Sequence, residues 1–276
     1  MEELRELQRS HERKSMRIVA IARQNWSAVM GSGDEKWGFL EQIFTASLDM
    51  PNAEDVRKRC LQALEKRFPN SQRVQRLQAM GFEADGQFQK ALDIYNEMLE
   101  ADPLNPAILK RKIAVHIGKD DIPLAITALN KYLELYSSDF EAWQQLTDLY
   151  IDTQDLQNAA FCLEEVMLSN PHNHVYYCTY AEVLFARGGS ERMTQARRYF
   201  AKALELNPTS ARALYGLHLA SARTMTKGSK ASEDVATVAD LRDGSKEQLL
   251  ALYEEQGANP THQALLPSVL VGSGKQ

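Results

Sequence analysis

Proline and alanine recur along this chain at a nearly fixed interval. Pro69, Pro103, Pro171 and Pro208 each follow a helix-favouring stretch, at spacings of 34, 68 and 37 residues, with Ser137 at the mark that the double interval skips. Ala91, Ala125, Ala159 and Ala196 keep step at 34, 34 and 37. A period of this length means one supersecondary unit repeated, with each copy burying its apolar face against the next. Ala, Leu, Glu, Gln and Arg dominate between the prolines and alternating β-branched runs are nearly absent, so the unit is helical.

The residues within each copy follow the tetratricopeptide (TPR) pattern, Trp-x2-Leu-Gly-x2-Tyr, then Ala-x3-Phe, then Pro. One copy reads Trp143, Leu146, Thr147, Tyr150, Ala159, Leu163 and Pro171, and the next reads Tyr177, Tyr180, Ala181, Leu184, Ala196, Phe200, Ala203 and Pro208. An earlier copy keeps Ala91, Tyr95 and Pro103 with Gly86 and Phe88 at its turn; the one between keeps Ala125 and Leu129 but has Ile113 where a small residue is usual. The two helices of such a hairpin cross closely, so the crossing residue must be small, and large residues three and four positions away fill the space around it. Asp102, Asn170 and Asn207 before proline stop the second helix.

The expected fold is therefore an all-α TPR helical-hairpin solenoid with divergent N- and C-terminal caps. Residues 1–34 read as an N-terminal helical cap, 35–225 as a solenoid of about five repeats, and 226–276 as a divergent C-terminal helix and loose tail. Trp37, Leu40 and Phe44 followed by Val56 to Pro69 read as a degenerate repeat, with Arg57 where alanine belongs. Gly188, Gly189 and Ser190 sit where the last clear copy carries three extra residues, expected to lengthen the loop between its helices. Leu214, Leu217 and Ser221 supply a further first helix, Thr226 to Glu233 a loop, and Leu241 to Gln256 an amphipathic helix with Gly244 at a cap. The last twenty residues, with Gly257, Pro260, Pro267 and Gly272, read as tail.

Lys+Arg 32 against Asp+Glu 37 leaves a net charge of −5, against a nucleic-acid binder, which needs surplus cations. No stretch approaches the roughly 18 apolar residues of a membrane span, and Met1 to Arg17 lacks an apolar leader core, so a cytosolic location is expected unless a partner holds the chain at a membrane. Cys60, Cys162 and Cys178 are scattered and fit reduced, packed thiols.

Catalytic patterns are absent: no Walker loop, no dinucleotide fingerprint, no nucleophile elbow and no His-Glu-x-x-His. Gly31-Ser32-Gly33 reads as a turn, and Glu164-Glu165 and Glu254-Glu255 as solvated pairs that diverge on their helices. His172, His174 and Cys178 have partial zinc-ligand spacing without a fourth ligand; Asn170 to His174 reads instead as a polar turn capping the next helix, and Cys178 as a packed thiol. No cofactor, no metal and no enzymatic activity are expected.

Binding remains. First helices of a TPR stack line a concave groove, and their non-core positions here hold Arg73, Arg76, Lys110, Gln144, Asp148 and Glu182, running from basic to acidic. Met80, Ala114 and Asp148 stand where a chaperone-binding carboxylate clamp would want asparagine, so a clamp is not expected.

Several strings go beyond the generic repeat. Lys110 to Ala114 (KRKIA), Ala159 to Glu165 (AAFCLEE), Asn170 to His174 (NPHNH) with Tyr180 to Val183, Cys60-Leu61-Gln62 before Arg67-Phe68-Pro69, and Tyr199-Phe200-Ala201 before Ala213 to Leu217 resemble the ER membrane protein complex subunit 2 family. The resemblance covers roughly residues 35 to 220, departing at the N-terminus and after Thr226. It implies a non-catalytic scaffold on the cytoplasmic side of the endoplasmic reticulum membrane, peripheral and held there by partners. Those partners would be other subunits of the complex, cytosolic and membrane-embedded, in an insertase for tail-anchored and multipass proteins; a homo-oligomer is not expected. The groove by itself also fits a free cytosolic TPR adaptor for a soluble peptide or chaperone.

Overall fold

The computed structural model describes residues 2–10, 12–226 and 235–255, and every element among them is helical or a turn. The chain divides into two compact units, residues 1–128 and 129–276.

The N-terminal unit opens with α1 (Glu2–Ser10), α2 (Ser15–Gln24) and α3 (Trp26–Met30), the segment expected to cap the fold. Leu4, Leu7, Ile18, Ile21 and Val29 from these helices are buried in one core with Phe39, Leu40, Ile43 and Phe44 of α4 (Lys36–Leu48) and Val56, Cys60 and Leu64 of α5 (Glu54–Arg67). Then follow α6 (Gln72–Ala84), α7 (Phe88–Ala101), α8 (Pro106–Gly118) and α9 (Ile122–Leu135), the division between the units falling inside α9. In the C-terminal unit come α10 (Phe140–Asp152), α11 (Leu156–Ser169), α12 (His174–Arg187), α13 (Ser190–Leu206), α14 (Ala211–Thr226) and α15 (Val235–Glu255). A second core joins Ala159, Leu163, Tyr180, Ala181, Leu184, Ala196, Phe200 and Leu217. Ala91, Ala125, Ala159 and Ala196, the alanines of the period, are all fully buried, as residues at close crossings must be.

The degenerate first hairpin solves its crossing differently. Arg57 stands at the alanine position and is buried, with its Cδ 3.9 Å from where a Cβ on Gly81 of α6 would lie and the Phe44 ring nearer at 3.5 Å, both ordinary contacts. Its guanidinium reaches out to the Asp85 carboxylate, and Nη1 lies 3.5 Å from the Ser47 carbonyl oxygen.

Helix starts follow local chemistry. Asn105, Asp139 and Asp155 accept from backbone N–H groups three residues on, at 3.2–3.3 Å, and Asn173 accepts from Val175 N at 3.0 Å. The Asn170–His174 turn does cap α12, through Asn173. The turns inside hairpins keep the period in another way: Gly86, Asp120 and Gln154, each 34 residues apart, all adopt the left-handed conformation, with φ of 71°, 60° and 61°. Glycine takes this conformation without cost, while a residue with a Cβ does so at roughly 1 kcal/mol. Gln154→Gly is therefore expected to raise stability by about 0.5–1 kcal/mol. An unchanged or lower denaturant midpoint would show the turn is held by other contacts.

Two local expectations are corrected. The three additional residues near Gly188 do not lengthen a loop: Gly188 and Gly189, both at positive φ, reverse the chain in two residues, and the extra length goes into α13, which has 17 residues where α11 has 14. Met193, in the added turn, is buried, so apolar burial favours helix over loop there. Gly244 is not a cap: α15 starts at Val235 and runs through it without a positive φ. Leu249 and Leu252, beyond that glycine, pack with Leu214 of α14, which keeps the helix continuous across a weak helix former. Thr226, expected to open a loop, instead ends α14. The rest of that loop, Gln256 at the expected helix end and the tail fall in residues 227–234 and 256–276, outside the described residues.

Candidate partner-binding faces

The six predicted groove residues fall into two sets, one in each unit. Arg73 and Arg76 are three apart on α6, so they share a face, and Lys110 lies on α8. Arg73 is exposed, yet its guanidinium donates to Glu41 of α4 at 2.5 Å. Arg76 and Lys110 are half-buried. Nearby on the same two helices, Glu83 of α6 accepts from the Tyr95 hydroxyl and lies 3.6 Å from Arg111 Nε. Burial pushes the Glu83 carboxyl above its ordinary value, outweighing the hydroxyl and the guanidinium.

In the C-terminal unit, Gln144 and Asp148 are exposed and one turn apart on α10. Asp152 continues the same line. The Asp148 carboxyl is pushed above the usual aspartate value by partial burial and then by the Asp152 charge. Glu182 of α12 takes a two-pronged contact from Arg212 of α14, with Nε donating to Oε1 at 2.6 Å and Nη2 to Oε2. Arg212 Nη2 also donates to Thr179 Oγ1 at 3.2 Å. The charge on Glu182 is thus met within the chain.

Glu41, Asp152, Thr179 and Arg212 were not among the predicted residues. A signal for two of them existed: Arg73 and Glu41 are 32 residues apart, and Glu182 and Arg212 are 30, each close to one repeat period. Equivalent faces of successive first helices lie side by side, so opposite charges about one period apart are candidate partners.

Because Asp148 is harder to ionise in the fold than in an open chain, its charge opposes folding once the pH rises through the ordinary aspartate value. Asp148→Asn is expected to raise the melting midpoint at neutral pH, with the gain disappearing as the pH falls below the usual carboxylate range. A melting series against pH checks this; a midpoint lowered at neutral pH would mean the charge is stabilised in the fold.

The positions weighed for chaperone clamping hold a half-buried Met80, packed against the N-terminal core, a half-buried Ala114, and Asp148. His172 is exposed, His174 Nε2 lies 3.1 Å from Asn207 Nδ2, and Cys178 is buried. Among the described residues, no three His, Cys, Asp or Glu side chains stand close enough to hold a metal ion. All three cysteines are buried, and burial pushes the Cys60 and Cys162 thiols up to about 12. No described helix is long and apolar enough to cross a membrane.

Residues 62–205 match the EMC2 TPR-like repeat domain. The chain is 47% identical to ER membrane protein complex subunit 2-B of Xenopus laevis over 189 residues, 68% of this chain and 63% of the frog protein, so it spans less than two thirds of that relative. It is 30% identical to ER membrane protein complex subunit 2 of Dictyostelium discoideum over 93% of this chain and 83% of that protein. In three dimensions it resembles the C-terminal part of a TPR repeat-containing protein from Cytophaga hutchinsonii, with a TM-score of 0.63, 15% identity, and coverage of 94% and 95% of the two chains. That likeness speaks for the TPR fold.

Proposed function

From the premise that the chain belongs to the ER membrane protein complex subunit 2 family, we propose that it is a non-catalytic TPR scaffold subunit of that complex. In this reading it sits peripherally on the cytoplasmic side of the endoplasmic reticulum membrane. It links cytosolic and membrane-embedded subunits of an insertase for tail-anchored and multipass proteins. The observation that carries the proposal is the 47% identity to a relative of that name over 189 residues of the chain. The absence of a membrane-crossing helix among the described residues is compatible with attachment through partners.

The two faces divide the binding. Arg73, Arg76 and Lys110 suit an acidic partner segment, with Glu41 tempering the first of them. Gln144, Asp148 and Glu182 suit a polar or basic one, with Asp148 beside Asp152 as its negative centre and Arg212 tempering Glu182. Such charges set orientation and encounter rate more than affinity.

Affinity purification of the tagged chain from membranes in mild detergent, with mass spectrometry, tests the scaffold role. A fixed-stoichiometry set of integral membrane proteins is the expected result. Soluble chaperones alone, or no co-purifying protein, would overturn it. In the same experiment, Arg76→Glu and Asp148→Lys are expected to weaken retention of different partners.

A further inference from the structure

Between Lys131 and Arg187 the chain has no Lys or Arg in 55 residues, while nine are Asp or Glu. The whole chain is only −5, so everything outside this stretch carries a net +4. The charge is therefore segregated, with α10, α11 and α12 up to Ala186 forming an acid-only block.

Within that block, the α11 helix buries Leu163, Val166 and Met167 but leaves two large apolar side chains in solvent. Phe161 is 55% exposed and Leu168 is 76% exposed. They are seven residues apart, which places them on one side of the helix about two turns from one another. A single exposed leucine is unremarkable, but two aligned on one helix with an aromatic support form a surface. Trp143 of α10 packs edge-on against Phe161, with ring centroids 6.1 Å apart, and holds that ring in place. Between Phe161 and Leu168 come Glu164 and Glu165. The Glu164 carboxylate is anchored by the Tyr180 hydroxyl of α12 at 2.6 Å. The stripe thus reads apolar, acidic, apolar.

We propose that the outward side of α11, built on Phe161, Glu164, Glu165 and Leu168, is a second docking surface that takes a cationic amphipathic helix of a partner protein. Apolar side chains of that helix would cover Phe161 and Leu168 while a Lys or Arg between them meets the two glutamates. This is the helix-on-surface mode in which anchors fall at helical spacing and charge sets the register. The sign of the block selects this occupant. An anionic membrane surface is repelled by nine acids with no base among them. A second copy docking by the same patch would oppose like charges across a two-fold. The surface is distinct from the first-helix faces and stands independently of the scaffold role.

The test uses the full chain and a fluorescent synthetic helical peptide of about five turns, with leucines seven apart and lysines between them. A twin carries glutamate in place of every lysine. Anisotropy titration is expected to show saturable binding of the lysine peptide that weakens with salt, and none of the twin. Phe161→Ser with Leu168→Ser should weaken binding by about tenfold or more. Glu164→Lys with Glu165→Lys should weaken it similarly and flatten its salt dependence, which keeps the test intact if the serine pair alters folding. Equal binding of the twin, unchanged binding by both paired variants, or no saturable binding would overturn the proposal. So would binding lost on Asp148→Lys alone, which would place the peptide on the first-helix face. Without peptide present, sedimentation of the chain with anionic lipid vesicles, or a dimer in sedimentation, that the serine pair abolishes would assign the surface to a membrane or to a second copy instead.

Discussion

Replacing Phe200 with alanine is expected to lower the stability of the C-terminal unit by about 3–5 kcal/mol, the range for removing a large ring from a packed core. The Phe200 ring is fully buried on α13, and Gly216 of α14 faces it with no side chain between. A Cβ placed on Gly216 would fall 2.3 Å from the Phe200 ring. Gly216→Ala is therefore expected to cost about 1–3 kcal/mol through overpacking, although alanine is the better helix former by about 1 kcal/mol. The two changes should not add. With the ring gone, the new methyl group enters vacated space, so Gly216→Ala in the Phe200→Ala background should be near neutral or stabilising. Denaturant unfolding of the four proteins in the cycle measures the coupling. Additive losses would mean that the ring does not occupy the space above Gly216.

The second large effect concerns Arg57. Its side chain is 7% exposed and that of its partner Asp85 is 26% exposed. Asp85→Ala leaves the guanidinium in an apolar setting with its counter-ion removed, and is expected to cost about 2–3 kcal/mol, below the full range for buried pairs because Asp85 is partly in water. Arg57→Met removes the charge while keeping an unbranched apolar stem, and should stay within about 1 kcal/mol of the parent. Combining both changes should recover most of the loss from Asp85→Ala. Amide exchange in α5 and α6 localises the effect to the first hairpin. An Asp85→Ala protein as stable as the parent would show that Arg57 is well hydrated without its partner.

The contrast between these two sites explains what could be read in advance. Phe200 and the alanines were legible because a helical hairpin needs a small residue where its axes cross and large ones beside it, and that requirement repeats with the chain. Arg57 was legible only as a violation. That its guanidinium meets Asp85, 28 residues later, is a statement about how α5 lies against the end of α6 in space. Gly188 and Gly189 were visible as a turn, but whether the added residues joined the turn or α13 depended on burying Met193. Gly244 resembled a cap because glycine is the commonest one; packing of Leu249 and Leu252 against α14 kept the helix running.

The same division governs the candidate faces. Helical class, repeat period, hairpin order and family were carried by the residues alone, since each rests on spacing along the chain and on side-chain size. Which charges remain available was decided by the tertiary structure. Arg73 meets Glu41 and Glu182 meets Arg212 because packing brings successive first helices side by side, so a charge that looks free in one repeat finds its counter-ion in the next.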